Sequence, residues 1–576
     1  MMLWSLTAGS LLLALFSLCW GAALVDFQVA QPPPVPKDAK QCTVQIFERV
    51  FAFSFGDAEV VDYTPPTDCG DPGSWAAVTL NFTVTSNGTQ FDRLGILTFQ
   101  NVEIWRTSTP EPTRGDGIIW TFIKDVTRFT PLFAEPGTFI MQLDNLIQPG
   151  LDGNYSTVMH ATFFESSEEN PPAGQANTII PLSTLANDTG NDASVPPAFS
   201  LNVTLPQNTV ELYAELFASG NGQEEFWYFN AANEFLDDLP NGVALGQGPF
   251  REVRLLVDGQ VAGVAFPYAT IFTGGIIPTA WRPITSYGAL DLPTYFLDLT
   301  PFIPALVDGN PHNFTIDVIS AEQDHTILQN WFVSGLLQVV TDPSGQPTTG
   351  NITSYSAGLF PITTTSGTVS NNGDVVINVT ATRSIHVEAD IVSGSGTTTH
   401  VVWSQDLQYT NIQSYLDNTD IQNVAQLSSG QVSSVHNGAP AVVDTFSYPL
   451  NINLTVLTPD GSNFTAIFDH SYDRVLTPAP FILGSTIHNH QVATGFFHTA
   501  STGNTGNGTN NNTFTYEDTA GNTFNRQVNA ALNVITFDQQ SGNLAPAPEP
   551  AALVAPSMNF DSSGQVRFPG NRVIGV

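Results

Sequence analysis

The stretch Val78-Thr79-Leu80-Asn81-Phe82-Thr83-Val84 alternates apolar and polar residues without a break. Because neighbouring side chains of a strand point to opposite faces, this period of two predicts a β-strand with one buried face. The pattern recurs on both sides of the stretch, and no helical period of comparable length interrupts it. The recurring runs cover residues 43–55, 96–105, 118–123, 138–143 and 158–164.

Further along the chain, short strand patterns alternate with segments rich in Pro, Gly, Asn and Asp. The runs cover residues 199–205, 210–217, 226–229, 253–257, 261–266, 314–319, 331–340, 375–379, 385–392 and 452–457. Residues 501–512 are low in complexity and are predicted to form a loop. Many short strands separated by turns predict an all-β fold, with two adjacent jelly-roll/β-sandwich domains followed by a third β-rich region.

The turn-rich segments near residues 170 and 342 place the predicted domain boundaries. A chain of 576 residues exceeds what a single hydrophobic core usually serves, which also favours several domains. The predicted units are a signal peptide at 1–23, a proline-rich linker at 24–41, a first jelly roll at 42–170, a second at 171–342, a C-terminal β-rich domain at 343–543 and a tail at 544–576.

The composition excludes some classes of partner. Sixteen Lys and Arg residues stand against 52 Asp and Glu residues, so the formal net charge is −36. A chain of this charge is repelled by the phosphates of nucleic acids and by anionic membranes. We therefore expect no nucleic-acid partner.

The N-terminus has the character of a secretory signal. An apolar stretch centred on residues 11–18 precedes the small residues Gly21, Ala22 and Ala23. No Lys or Arg stands before the apolar stretch, so an uncleaved signal anchor is the alternative. We expect cleavage, no stable membrane insertion afterwards, and a protein that is secreted or held in the secretory and vacuolar pathway.

Cysteines and glycosylation motifs bear on the same question. Of three cysteines, Cys19 lies in the signal, which leaves Cys42 and Cys69 as an expected disulfide in an oxidising compartment. The alternative is a pair of unpaired buried thiols, as in a cytosolic protein. Against it stand twelve motifs for N-glycosylation, at Asn81, Asn87, Asn154, Asn187, Asn202, Asn313, Asn351, Asn378, Asn453, Asn463, Asn507 and Asn511.

Three acidic positions lie among aromatic residues. Asp92 follows Phe91, Glu225 precedes Phe226 and Trp227, and Asp144 closes the 138–143 run. A carboxyl held against aromatic rings tends to have a raised pKa and can then donate a proton. The alternative is a solvated carboxylate at the start or end of a strand, with no chemical role.

Three sequence stretches carry a family resemblance: FDRLGILTF at 91–99, VEIWRTSTPEPT at 102–113 and GIIWTFIKDVTRFTPLF at 117–133. They closely resemble the plant and fungal peptide-N4-(N-acetyl-β-glucosaminyl)asparagine amidase A family, and the resemblance covers most of residues 42–540. A more distant similarity reaches the bacterial peptide N-glycosidase F enzymes, whose catalytic region consists of two jelly rolls packed side by side.

The resemblance implies particular site residues. Asp92 matches the principal catalytic aspartate and Glu225 the essential glutamate of the second jelly roll. Asp144 would align with a further family glutamate, although the residue type differs. Trp281 and Arg282 would surround the sugar next to asparagine, and Trp120 and Trp227 would stack on sugar rings. The alternative for each Trp is a place in the core, which is the more usual position for a Trp in an alternating strand.

The function that the resemblance implies is hydrolysis of the amide bond between the innermost GlcNAc of an N-glycan and asparagine. The substrates would be N-glycopeptides or unfolded glycoproteins. No cofactor is expected, and no metal, because His488-Asn489-His490 comes without Cys or an HExxH motif. Two alternatives stay open: a glycosidase that uses the same carboxylates, and a lectin-like protein that binds glycans without cutting them.

Overall fold

The protein is described here from a computed structural model. It describes residues 23–501 and 503–546, together with the backbone of two paired strands, Asn559–Phe560 and Val566–Arg567. Apart from Ala23, the predicted signal peptide lies outside the described residues, as does most of the predicted tail. Among the residues described, no helix combines the length and the hydrophobicity needed to cross a membrane.

Nine strands form the first pair of sheets. One sheet has the order β1-β7-β4-β9-β2 and the other β3-β8-β5-β6. The strands are β1 Leu24–Asp26, β2 Gln41–Phe51, β3 Glu59–Tyr63, β4 Ala77–Asn87, β5 Leu94–Phe99, β6 Val102–Ser108, β7 Ile118–Asp125, β8 Gly137–Leu143 and β9 Asn154–Phe164.

A second pair of sheets follows, with the orders β10-β18-β13-β16 and β12-β17-β14-β15, and with β11 paired to β18. Its strands are β10 Thr178–Leu182, β11 Ala193–Val195, β12 Phe199–Val203, β13 Thr209–Asn221, β14 Glu252–Val257, β15 Gln260–Ala265, β16 Tyr295–Asp298, β17 His312–Ile319 and β18 Asn330–Thr341. The helices are single turns, α1 Thr130–Phe133 and α2 Ile303–Leu306.

The third region is one sheet of eleven strands that runs from β19 to β29, with β20 also paired to β21. Its strands are β19 Thr349–Ala357, β20 Ile362–Val369, β21 Val375–Val392, β22 Thr398–Leu416, β23 Ile421–His436, β24 Ala439–Val456, β25 Asn463–Leu476, β26 Ser485–His498, β27 Thr505–Asp518, β28 Thr523–Ala531 and β29 Val534–Ser541. The all-β prediction is confirmed, while the exact domain boundaries stay a prediction.

Two apolar cores hold the chain together. The first lies between the first two sheets and contains Trp75, Phe82, Phe99 and Phe163. The second is shared by the second pair of sheets and the third region, because inward residues of the large sheet such as Ile377 pack against it. The large sheet therefore has one face covered by the second pair of sheets.

Three sequence predictions about local structure were wrong. The run 96–105 is two strands, because Gln100 and Asn101 both have positive φ and close a hairpin between β5 and β6. The aromatic run 226–229, predicted as a strand, contains a 3-10 turn at Trp227–Phe229. In such a turn consecutive rings pack in different directions, so the run does not need the two faces of a strand. The loop predicted at 501–512 contains the start of β27, whose register is held by β26 and β28 on either side.

The first residues of the predicted linker form a strand that ties the N-terminus to distant segments. In β1, Asp26 pairs in parallel with Trp120 of β7. The next residue, Phe27, donates its main-chain N–H to the oxygen of Pro283 at 2.9 Å and accepts from Thr285 at 3.0 Å. The predicted disulfide is confirmed, with Cys42 of β2 bonded to Cys69 and a Cα–Cα distance of 5.8 Å.

Buried ion pairs join the first pair of sheets to the second. Arg106 donates to Glu103 and also reaches Ser219 and the main-chain oxygen of Phe332, at 2.9 and 2.6 Å. Arg128 forms a two-pronged pair with Glu215, at 2.7 and 3.0 Å. These pairs set the position of one sandwich against the other.

Candidate active site

Asp92 lies in the loop between β4 and β5, two residues before β5 begins at Leu94. The guanidinium of its neighbour Arg93 is fixed by other groups, because Nη2 donates to Gln90 at 2.6 Å and Nε to Asn145 at 3.3 Å. The main chain is fixed as well, since Arg93 N donates to the hydroxyl of Thr109 at 2.8 Å. The Asp92 carboxylate is therefore presented from an anchored loop.

Two adjacent glutamates after β13 have different environments. Glu224 is fully buried and accepts from Arg251 at 2.6 and 2.8 Å, from Trp331 Nε1 at 2.8 Å and from Leu328 N at 2.7 Å. These bonds saturate its carboxylate and fix the start of the loop. Glu225 is half-buried and faces the same pocket as Asp92.

A third carboxylate belongs to Glu111, in the loop after β6. Arg282 Nη2 donates to the main-chain oxygen of Glu111 at 2.8 Å and lies 3.5 Å from Oε2 of its carboxylate. A Cβ at Gly274 would collide with Asp92 Oδ1 and would lie 2.7 Å from Glu111 Oε1. Both carboxylates thus approach the main chain at Gly274 closely, and a side chain there would displace them.

The pocket lies where the first and second pairs of sheets meet. Its cavity volume is about 90 Å³. The residues that line it are Asp92, Arg93, Leu94, Ser108, Gly220, Asn221, Gly222, Glu225 and Phe272. The pocket thus combines carboxylates from both pairs of sheets.

Burial raises the pKa of all three carboxyl groups, and repulsion from neighbouring carboxylates adds to the rise for Glu111 and Glu225. Desolvation by burial is the main cause in each case. It raises the pKa of Asp92 to about 6, against the opposing effect of hydrogen bonds from main-chain N–H groups and of the Arg93 charge. It raises the pKa of Glu111 to about 7, with repulsion from Asp92 added and attraction by Arg282 subtracted.

Glu225 has the highest pKa of the three, about 8, because burial is reinforced by repulsion from both Asp92 and Glu111. Asp92 is therefore the group that ionises most readily, and Glu225 is the group that keeps its proton to the highest pH.

The structure does not bring Asp144 to these carboxylates. Its Oδ1 accepts from Gly56 N at 3.1 Å and its Oδ2 from Gln142 Nε2 at 3.1 Å. The carboxylate is thus engaged in holding a neighbouring loop. Glu111, in the loop after β6, is the third carboxylate near Asp92 and Glu225.

The three tryptophans predicted to bind sugar are buried. Trp120 packs edge-on against Tyr155, and Trp227 packs against Trp331. Trp281 is completely buried, donates Nε1 to the oxygen of Gly275 at 2.9 Å and packs on Phe468. Core packing accounts for all three rings, while Arg282, the neighbour of Trp281, does reach the carboxylates.

The signal for Glu111 was present but weak. It lies at position 111 in a Pro-rich turn, TSTPEPT, that gives no strand or helix period. Glu111 lies 171 residues from Arg282 in the sequence, so their contact follows only from the packing of the two sandwiches.

The paired histidines His488 and His490 lie outside this site and contact Asp473 and Asp469. Within the described residues, no group of three or more His, Cys, Asp and Glu is arranged to hold a metal ion.

Comparison with known proteins identifies the family of this chain. A family model described as peptide N-acetyl-beta-D-glucosaminyl asparaginase amidase A matches residues 31–358. A relative from Prunus dulcis, peptide-N4-(N-acetyl-beta-glucosaminyl)asparagine amidase A, is 33% identical over 407 residues, which make up 67% of this chain and 69% of the relative. The chain belongs to the amidase A family. The C-terminal domain model of that family matches residues 376–450, within the large sheet.

Solved structures resemble this amidase A family member only distantly. PNGase F, a glycosylasparaginase from Flavobacterium meningosepticum, is 14% identical with a TM-score of 0.34, over 52% of this chain and 96% of that one. PNGF-II gives the same identity and TM-score, over 52% of this chain and 66% of that one.

Proposed function

We propose that this amidase A family member hydrolyses the amide bond between the innermost GlcNAc of an N-glycan and the asparagine side chain. Family membership supports the reaction class. The observation that carries the assignment to this pocket is the meeting of Asp92, Glu111 and Glu225, with raised pKa values in the order base to acid.

The reaction begins with a water molecule beside Asp92. The ionised carboxylate of Asp92 takes a proton from the water. At the same time the oxygen of the water attacks the side-chain carbonyl carbon of asparagine, which gives a tetrahedral intermediate. Glu225, which keeps its proton at neutral pH, hydrogen-bonds to the amide and gives the proton to the nitrogen as the carbon–nitrogen bond breaks. The asparagine becomes aspartate.

The leaving group is a glycosylamine, which loses ammonia in water to give a free glycan. Arg282 and Glu111 support the hydrolysis of the amide bond without giving or taking the transferred protons. The guanidinium offsets part of the negative charge that the three carboxylates bring together, and Glu111 keeps the pKa of Glu225 high by repulsion.

The proposed substrates are N-glycopeptides or unfolded glycoproteins. The scissile amide lies next to the peptide main chain, so the peptide must approach the pocket together with the sugar. We also propose that the protein works in the secretory pathway or outside the cell. Support comes from the Cys42–Cys69 bond and from the twelve glycosylation motifs, since none of their asparagines is buried.

Product analysis tests the proposal. A purified N-glycopeptide is incubated with the protein in water labelled with a heavy oxygen isotope, and the peptide is sequenced by mass spectrometry. An amidase leaves aspartate with the heavy oxygen in its carboxyl group. Asparagine that still carries one GlcNAc would instead show a glycosidase, and binding without release would show a lectin.

Substitution of the two assigned groups tests the site. Asp92→Asn and Glu225→Gln keep shape but remove the base and the acid, so we expect each to lower kcat by at least roughly a hundredfold. Asp144→Asn, a carboxylate replaced in the same chemical manner but outside the pocket, is the matched control. Wild-type rates in both site variants would overturn the assignment.

A further inference from the structure

Four carboxamide side chains of the large sheet reach the main chain of the two loops that carry Glu225 and Arg282. We call them the amide clamp: Asn411 and Gln413 of β22, Gln491 of β26 and Asn510 of β27. All four are buried, with 1% exposure or less. No side chain of the large sheet is among the residues that line the pocket. The amide clamp therefore acts on the site through the two loops and not from inside the pocket.

One half of the amide clamp holds the end of the Glu225 loop. Gln413 Nε2 donates to the main-chain oxygens of Asn230 and Tyr228 at 3.0 and 3.4 Å, and Asn411 Nδ2 donates to that of Tyr228 at 3.1 Å. The start of the same loop is held by the ion pair of Glu224 with Arg251. Glu225 therefore lies between two fixed points.

The other half of the amide clamp holds the main chain on both sides of Arg282. Asn510 Nδ2 donates to the oxygens of Ala280 and Ile284 at 2.9 and 3.1 Å. Gln491 Nε2 donates to the oxygen of Thr285 at 2.9 Å, and its Oε1 accepts from Tyr287 N at 3.0 Å. Gln491 and Asn510 also bond to each other, at 3.0 Å.

The sheet approaches the Arg282 loop as closely as main chains allow. A Cβ at Gly508 of β27 would collide with the oxygen of Thr279 and lie 2.7 Å from the Cα of Ala280. Neither loop is part of a strand where it is held, so its buried polar groups have no ladder partner. A neutral side chain with both a donor and an acceptor satisfies such groups without burying a charge.

We propose that the amide clamp is a positioning device, through which the C-terminal sheet sets the placement of Glu225 and Arg282 relative to Asp92 and Glu111. The four clamp residues are positioning residues and touch no reacting atom. The inference rests on the proposed amidase function and extends it, because it makes a sheet outside the pocket part of the catalytic apparatus.

The chain offers a matched control in Gln405 of β22. This glutamine is equally buried, and both of its amide atoms bond to the main chain of Val264 in β15, each at 2.9 Å. It thus joins the same two parts of the molecule through the same chemistry. The difference is that Val264 belongs to a regular strand and not to a loop that carries a site residue.

The experiment compares Gln413→Met, Gln491→Met and Gln405→Met in the full-length protein. Thermal unfolding reports the structural cost, which we expect to be similar for all three. Steady-state kinetics on a glycopeptide report positioning: we expect kcat to fall roughly tenfold or more for Gln413→Met and Gln491→Met, with a smaller change in KM and none for Gln405→Met. If Gln413→Met fails to fold, Asn411→Leu takes its place. If Gln491→Met fails to fold, Asn510→Leu takes its place.

The pH profile and hydrogen exchange separate positioning from stability. In Gln413→Met, water reaches Glu225 and the repulsion from Asp92 and Glu111 weakens, so the alkaline limb of kcat should move to lower pH. Amide exchange should rise at residues 226–231 or 280–287 in the matching variant. The inference is overturned if all three variants lose activity only in proportion to their folded fraction, with unchanged exchange and pH profile. If the wild type releases no glycan, the proposed function fails, and hydrogen exchange still decides the inference.

Discussion

Arg282 donates a hydrogen bond to the main-chain oxygen of Glu111 at 2.8 Å, across the junction of two β-sandwiches. Its guanidinium also lies 3.5 Å from the Glu111 carboxylate, and the Arg282 charge opposes the rise in the pKa of that group. One side chain thus joins the loop after β6 to the loop before β16 and moderates the charge of the pocket.

Replacing this cation should impair catalysis more than folding. In Arg282→Met the pKa of Glu111 rises further because the attractive charge is gone, and the loop position is lost. We expect kcat/KM to fall roughly tenfold to a hundredfold, measured by glycan release from a glycopeptide. The control is Arg254→Met, which breaks a buried ion pair with Asp317 away from the pocket. Equal losses of activity in the two variants would contradict a role for Arg282 in the site.

Glu111→Gln and Asp144→Asn distinguish the two candidates for the third carboxylate. Glu111→Gln removes repulsion on Glu225, so we expect the alkaline limb of the rate to move to lower pH and kcat/KM to fall roughly tenfold or more. Asp144→Asn changes only contacts with Gly56 and Gln142 and should leave the pH profile unchanged. The opposite pair of results would return the role to Asp144.

The dependence of the rate on pH should be bell-shaped. Activity requires ionised Asp92, whose pKa is about 6, and protonated Glu225, whose pKa is about 8. The rate should therefore rise through the first value and fall through the second. In Glu225→Gln, which cannot ionise, the remaining slow rate should lose its alkaline limb. A limb that persists in this variant would belong to another group.

Stability should fall as pH rises, and Asp26 should account for part of the fall. Neither carboxylate oxygen of this buried residue accepts a hydrogen bond from any described residue, and burial raises its pKa to about 8 against the attraction of Arg282. The folded state then binds a proton that the unfolded state has released, so the free energy of unfolding decreases between the ordinary Asp range and about pH 8.

Asp26→Asn tests this directly. The amide has the same shape and cannot ionise, so the unfolding temperature of the variant should exceed that of the wild type by a few degrees at about pH 8.5 and match it at about pH 4. Thermal unfolding followed by circular dichroism in the two buffers gives both values. A constant difference at the two pH values would show that the pKa of Asp26 is the same in the folded and unfolded states.

Several strands of the first sandwich could be predicted from the sequence, because strands such as β4 and β9 have one face more buried than the other and so alternate. The run 118–123 became Ile118–Asp125 and the run 138–143 became Gly137–Leu143. The first half of β27 could not, because its buried positions there are Gly508, Asn510 and Asn512, where an ordinary strand has apolar side chains.

The candidate site was predictable only where a motif carried it. Asp92 and Glu225 could be named from the sequence, and the structure places both in one pocket. Glu111 and the amide clamp could not, since each depends on residues far apart in the chain that the packing of sheets brings together. A carboxamide in an Asn-rich strand also resembles an exposed polar side chain until its hydrogen-bond partner is known.

The bonds from Asn510 to Ala280 and Ile284 have a consequence for biosynthesis. A ribosome releases the chain from the N-terminus, so every carboxylate of the pocket is made long before the strand that braces the Arg282 loop. The pocket reaches its final arrangement only when β27 has emerged and joined the sheet. A nascent or prematurely ended chain would therefore be inactive towards the glycoproteins around it.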